Sequence, residues 1–380
     1  VREFRFEAET VGAEATASRE FAAAGLEHRL VGGFEVDRSR VEESRDGRQT
    51  TLATGAVTNA ILGEVFPLRD FPLSTIVRGG VFLQDRIARP GSRHAWIPAV
   101  RVDHYRLRPD VDALWAEDNP RTVPVDVTQT SVSPRLGWTY RLGERVTLYG
   151  QYTHGFRSPP FEDVNVGLDL PLFGTRAIPN PNLQPERSDG VEFGLRAERG
   201  RLRGTGSVYY NRYRDFIQSR VNLGRDASGT TIFQSRNLDR ARIWGAELAG
   251  TWEPGAVGSP LDGVYLRAAA AWARGDDTAR DRPLNTVDPA ELVLGGGYAA
   301  PSGAWGAALV TTTVAAKRRV DDGVTSLVRT PGYTTLDLDA WWRPLAALEL
   351  RVAVLNATDR RYFEWQDVRT RAADDPSLEL

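Results

Sequence analysis

The chain has 380 residues, a formal net charge of -2 and a mean hydropathy of -0.37. No run of 18 or more apolar residues occurs, which excludes a helical membrane protein, and the near-neutral charge leaves no basic footprint for nucleic acid. The absence of cysteine removes disulfides, thiolate metal sites and cysteine nucleophiles together.

In chain order, the dominant signal is alternation with period 2, the mark of strands with one apolar and one polar face. Over 191–198, Val191, Phe193, Leu195 and Ala197 oppose Glu192, Gly194, Arg196 and Glu198. Over 244–253, Trp244, Ala246, Leu248 and Trp252 oppose Gly245, Glu247, Ala249, Thr251 and Glu253. The alanine run at 268–271 lies inside the alternation Val264, Leu266, Ala268, Ala270, Trp272, so it reads as strand rather than helix. In 335–342, Leu336, Leu338, Ala340 and Trp342 oppose Thr335, Asp337, Asp339 and Trp341. Leu348, Leu350, Val352 and Val354 follow the same rule, and Leu355 breaks it.

About fifteen such segments of roughly ten residues are expected, the length a tilted strand needs to cross a bilayer. Short links fall near Leu142–Arg145, Arg199–Arg203, Ala300–Gly303 and Arg343–Ala346, with a middling one at Pro254–Gly263. Long polar links fall at about 157–188, 214–240, 274–290 and 317–332. Short turns alternating with long loops suit a membrane-spanning meander, whereas a soluble sandwich has no reason to sort its loops by length. Trp244, Trp252, Trp272, Trp342, Tyr152 and Phe156 lie at or near strand ends, where interfacial girdles form.

Six short boxes then occur in order: Val81-Phe82-Leu83-Gln84-Asp85, Ser133-Pro134-Arg135-Leu136-Gly137, Tyr149 through Pro159 (YGQYTHGFRSP), Asn180-Pro181-Asn182-Leu183-Gln184-Pro185-Glu186, Asn237 through Glu247 (NLDRARIWGAE), and Leu355 through Tyr362 (LNATDRRY). Together they resemble the TonB-dependent outer-membrane receptors, and the pairing of the third with the fourth resembles the haem/haemoglobin receptors and their transferrin- and lactoferrin-binding relatives. Phe156, Arg157, Pro159, Asn180, Pro181, Asn182, Leu183, Pro185 and Glu186 are the positions that match the paired boxes. Residues 1–80 carry no sharp motif.

The resemblance implies an all-β fold: an antiparallel transmembrane β-barrel, as a fragment of a 22-stranded barrel. Residues 1–380 would form one partial barrel domain, with the plug domain, the TonB-binding segment and the final strand outside this chain. It further implies residence in the bacterial outer membrane, contact with outer-membrane lipid, and a TonB system as partner of the parent protein. The barrel would do no covalent chemistry. No cofactor is expected to be bound covalently, and haem is expected as transported cargo rather than as a resident group.

Family members that take haem typically use a histidine between the two boxes, and residues 160–179 hold none. His154 is the imidazole nearest the boxes and the candidate axial ligand, although its parity with Leu148, Gly150 and Tyr152 sets it on the apolar face. Within the loop, Phe161, Asp169, Phe173 and Arg176 are candidate ligand contacts from their expected exposure. The expected activity is energised uptake of haem or a haem protein. Alternatives are uptake of a ferric siderophore or another scarce nutrient, and, in another class, a passive porin or structural barrel.

Overall fold

The computed structural model describes residues 1–120, 122–323, 326–376 and 378. Its frame is an antiparallel meander of fourteen long strands: β1 (Arg2–Ala23), β2 (Leu26–Gly47), β3 (Leu73–Ala88), β4 (His94–Asp110), β5 (Val127–Arg141), β6 (Val146–Arg157), β7 (Glu186–Arg199), β8 (Leu202–Arg225), β9 (Thr231–Trp252), β10 (Val264–Asp277), β11 (Glu291–Ala299), β12 (Trp305–Val314), β13 (Tyr333–Leu345) and β14 (Leu348–Val354). Each pairs with the next in sequence. Among the described residues β1 pairs only with β2 and β14 only with β13, so the sheet is an open part of a barrel wall. Among the described residues the short α-helices are α1 (Ala113–Asp118), α2 (Phe161–Val164) and α3 (Trp365–Val368).

The connections sort by end. Tight turns close β1–β2 at Ala24-Gly25 and β7–β8 at Gly200-Arg201, where Gly25 (φ 75°) and Gly200 (φ 61°) supply the left-handed backbone a two-residue turn requires. The long links lie at the opposite end. The expected link over 214–240 is mostly strand: β8 runs to Arg225 and β9 starts at Thr231, so two strands of 24 and 22 residues project beyond the bilayer-spanning part. Outside the apolar band neither face needs apolar residues, so alternation fades while the ladder continues. For the same reason the expected fifteen segments of about ten residues become fourteen strands of very unequal length.

The register puts the apolar sides of neighbouring strands on one continuous outward face. Tyr152, Val191, Tyr210 and Trp244 share one row, Leu148, Leu195, Gly206 and Leu248 another, and Leu202, Trp252 and Leu266 a third near the turns. Between the Trp252 and Trp244 rows the strand advances about 27 Å, enough to span a hydrocarbon layer once tilted. Leu248, 62 % exposed at mid-height, is stable there only if the surroundings are apolar. Leu248→Arg is therefore expected to cost about 2–4 kcal/mol in lipid, measured by denaturant titration in vesicles. Ala249→Arg, on the opposite face, should cost little. Equal costs for both would show that the two faces do not see different solvents.

The inward face is polar. Tyr149 donates to Glu192 (2.9 Å), as does Gln151 (2.6 Å), and Arg351 makes two bonds to Asp339 (2.8 and 3.1 Å). Tyr149 lies across Gly194, where a Cβ would come within 2.4 Å of its ring. Buried apolar clusters gather where the long links fold back over the wall, as in Val41–Ile76–Leu107 and Val320–Trp365–Val368.

Candidate functional site

The candidate site is the link between β6 and β7, which carries the two paired boxes. Arg157 ends β6 opposite Glu186, the first residue of β7, so the two boxes begin and end at one point of the wall. Pro159 is fully buried, and Pro160, with φ −63° and ψ 148°, caps α2 without a side-chain bond. The chain then turns inward rather than out to solvent.

Phe161, expected as an exposed ligand contact, is instead packed against the cluster of Val41, Ile76 and Leu107. It meets Phe71 edge-on, with ring centroids 5.7 Å apart. Those three aliphatic residues lie on the inward face of β2, β3 and β4, and α2 fills the space in front of them.

The strongest tether is Asp163, a residue that no box singled out. It is buried and accepts hydrogen bonds from the hydroxyls of Ser235 (2.6 Å) and Ser219 (3.0 Å), on the two projecting strands β9 and β8. Asn165 uses its amide as a strand edge would, accepting from Val125 N (2.9 Å) and donating to Val125 O (3.1 Å). Val164, Leu183 and Ile217 pack together between these polar anchors.

The second box is equally structural. Asn180 donates to Ser235 O (2.8 Å) and accepts from Asn182 N (3.1 Å). Gln184 N donates to the Asn237 side chain (2.8 Å), which returns a bond to Gln184 O (2.9 Å) and another to Asp215 O (2.6 Å). Glu186 accepts from Ile217 N (3.0 Å). Asn237 opens the fifth box, so two boxes separated in sequence are one contact in space. Pro181 and Pro185 fix the backbone between these bonds and remove donors that would otherwise need partners.

Between the boxes the chain makes a small hairpin, Leu168–Leu170 with Thr175–Ile178, whose second strand runs parallel to β9 over Thr231–Gln234. Asp169 and Arg176 face each other across it at 2.7 Å. At its tip Gly174 adopts φ 53°, and Phe173 is 68 % exposed with Leu172 beside it. Of the four loop candidates, the structure brings Asp169, Phe173 and Arg176 together on an exposed hairpin and places Phe161 in a packed core.

His154 lies on the outward face, as its parity implied, and no bulge turns it. Its Nδ1 is 2.9 Å from Asp189, which also accepts from Tyr152 (2.8 Å). The other three histidines share that face: His28 stacks on Phe21 and meets Asp85 (2.7 Å), His94 packs on Tyr140, and His104 meets Thr130 (2.9 Å). An imidazole from this chain therefore does not reach the lumen, and His154 is not placed to ligate haem inside it. The neighbouring links carry a second set of anchors that sequence reading missed. Arg45 pairs with Asp70 (2.8 Å) and Glu64, Arg69 N donates to Asp118 (2.7 Å), and Gly167 N donates to Asp70 O (2.8 Å). Three successive links thereby form one capped surface.

No group of three or more His, Cys, Asp or Glu side chains among the described residues could hold a metal ion. The arrangement suits non-covalent capture: a rigid floor carrying one exposed apolar and charged hairpin.

Comparison with known proteins fits this architecture. Residues 2–357 match the family model described as TonB dependent receptor-like, beta-barrel. A probable hemoglobin and hemoglobin-haptoglobin-binding protein 4 of Haemophilus influenzae is 27% identical over 276 residues, covering 67% of this chain and 27% of that protein. The hemoglobin-haptoglobin utilization protein B of Neisseria meningitidis serogroup C is 27% identical over 315 residues, covering 70% of this chain and 38% of that one. The chain thus spans well under half the length of these relatives. Among solved structures, the copper transporter OprC matches with a TM-score of 0.69 at 20% identity, over 96% of this chain and 52% of that one. The Serratia marcescens hemophore receptor HasR, in complex with HasA and heme, matches with a TM-score of 0.66 at 19% identity, over 95% and 57%. At these identities the structural likeness carries the fold.

Proposed function

Because the chain belongs to the TonB-dependent receptor β-barrel family, we propose that it forms wall and loop cap of an outer-membrane receptor importing iron as haem, taken from haem or a haem protein, with energy from the TonB system. The observation that carries this reading is the match, over about two thirds of the chain, to proteins named for binding hemoglobin and hemoglobin-haptoglobin. The paired boxes and the tethered hairpin between them support it. The partner is a haem protein met at the surface by Leu172, Phe173, Asp169 and Arg176, which offer a small apolar tip beside a charged pair, the composition of a protein contact centre.

The outward placement of all four histidines favours a division of labour. This part of the wall holds the carrier protein, and any axial imidazole comes from outside these residues. The same observation keeps a second reading open, in which the cargo is a ferric siderophore and needs no imidazole at all.

The test is growth of an outer-membrane strain lacking its own haem receptor, carrying the parent gene, on haem, haemoglobin or a ferric siderophore as sole iron source. Growth on haemoglobin that requires the TonB system, and for which Phe173→Asp raises the half-saturating haemoglobin concentration about tenfold, is the expected result. Growth on siderophore alone would move the cargo. Growth without the TonB system would identify a passive pore.

A further inference from the structure

The outward face changes character abruptly beyond its aromatic row. Above Tyr152, Tyr210 and Trp244, the next outward positions are His154, Asp189, Arg212 and Arg242, and the row after that is Phe156, Arg187, Arg214 and Arg240. Arg187, Arg214 and Arg240 are thus direct cross-strand neighbours on β7, β8 and β9, and Arg212 sits opposite Arg242. Like charges placed directly opposite one another destabilise a sheet.

Neutralisation within the protein is partial. Asp276 takes Arg242 (3.4 Å) and Arg274 (3.5 Å), and Asp189 is occupied by His154 and Tyr152. Among the described residues no hydrogen bond or ion pair holds the guanidinium groups of Arg187, Arg212, Arg214 or Arg240, and all four are exposed. The pattern recurs across β2–β4, where Arg38 and Arg106 flank Val77, and Arg40 and Arg108 flank Thr75, again on the outward side. At the turn end the corresponding positions of β8–β10 are Leu202, Trp252 and Leu266. In that row Arg199 stands opposite Leu202 with no arginine facing it, so directly opposed arginines mark the far rim of β7–β9.

We propose that this rim is a binding surface for the phosphorylated headgroups of the surrounding lipid leaflet, with the row Arg187–Arg214–Arg240 as its centre. The inference rests on the outward face being the lipid-facing one. An aromatic row at the edge of an apolar band sits at headgroup depth, and a guanidinium two rows further out, on a side chain long enough to reach back along the tilted strand, lies level with headgroup phosphates. Arginine offers a planar fork that binds phosphate oxygens two at a time, and one phosphate between neighbouring arginines removes their mutual repulsion. A free anion has the same chemistry, but only an anchored headgroup is held at this depth.

The parent receptor is reconstituted in phosphatidylcholine vesicles containing either a bis-phosphorylated glycolipid or the same glycolipid without phosphates. The glycolipid retained after gentle detergent extraction is then measured by mass spectrometry. The phosphorylated form should be retained selectively, and R187Q/R214Q/R240Q should lower its retention about tenfold. R196Q, on the inward face, should not. Unchanged heat-modifiability on gels establishes that the variants are folded, and R214Q alone carries the test should the triple variant fail to fold. Equal retention by the triple variant and the unaltered receptor, or of both glycolipids, overturns the proposal. An equal rise in melting temperature with inorganic phosphate alone would also overturn it, because the site would then take a free anion. A receptor that enters none of the vesicles would sink the membrane reading itself, a result separate from loss of lipid selectivity.

Discussion

Asp163→Ala is expected to release the β6–β7 link from the wall at a cost of about 2–4 kcal/mol, because it removes a buried charged acceptor and leaves two hydroxyls without it. The Ser235 and Ser219 hydroxyls reach it from different strands, at 2.6 and 3.0 Å, so one side chain ties the link to both projecting arms of the β8–β9 hairpin. The main-chain carbonyl of Asp163 also accepts from Asn180 N at 3.3 Å, a bond that the alanine variant retains only as far as the backbone stays in place without the side-chain tether. Hydrogen exchange over 160–183 should accelerate on the order of a hundredfold, while amides in the apolar band of β6–β9 keep their protection. Asp163→Asn keeps one acceptor oxygen and should lose about half as much. Unchanged protection in the alanine variant would mean that the apolar contacts of Val164, Leu183 and Ile217 hold the link without help.

This tether shows where the sequence is legible and where it is not. The wall could be read because its solvent differs on its two faces: Leu248 and Glu247 must point opposite ways, and period 2 records that directly. Turn positions were legible because two-residue turns need glycine or a polar residue at fixed places. The parity argument also placed His154 on the outward face. Beyond the apolar band both faces of a strand meet water, so nothing in 214–240 marks it as strand rather than loop. The boxes were visible as words, but their meaning was not. Gln184 and Asn237 bond across 53 positions, and Asp163 and Ser235 across 72, separations at which a single sequence records no pairing. Phe161 was misplaced for a related reason: loop position suggested exposure, whereas the inward turn at Pro159-Pro160 supplies it with a core. Residues 48–72, which hold no box, bring Glu64, Arg69 and Asp70 to a charged cluster.

That cluster makes the loop cap sensitive to pH. Glu43 is 1 % exposed, beyond the outward apolar residues of β2, and its Oε2 accepts from Asp70 N at 2.8 Å. Its Oε1 has no hydrogen-bond partner. Burial first, and the neighbouring Asp70 second, raise its pKa from 4.5 to about 7, against the lowering effects of the Asp70 and Phe71 amides and of Arg45. Arg45, shared with Glu64 and Asp70, and Arg69, which bonds Glu43 O (2.7 Å) and contacts Glu42 and Asp112, complete the charges around it, with Asp118 on Arg69 N. Between pH 4.5 and about 7 the folded cap keeps the Glu43 proton while the opened loop releases it. The stabilisation is thus complete below the lower value and is lost as pH rises towards the upper one. At about 1.4 kcal/mol per unit the ceiling is about 3 kcal/mol, and relaxation of the cluster reduces this to about 2. Exchange of the Asp70 amide should accordingly report a cap that loosens by roughly thirtyfold over that window after correction for intrinsic base catalysis. Glu43→Gln keeps a neutral acceptor for that amide at every pH and should flatten the dependence, holding the cap near its acid stability at pH 8. A glutamine variant that loosens with pH as steeply as the unaltered chain would assign the titration to Asp70 or Asp118, whose pKa values burial also raises.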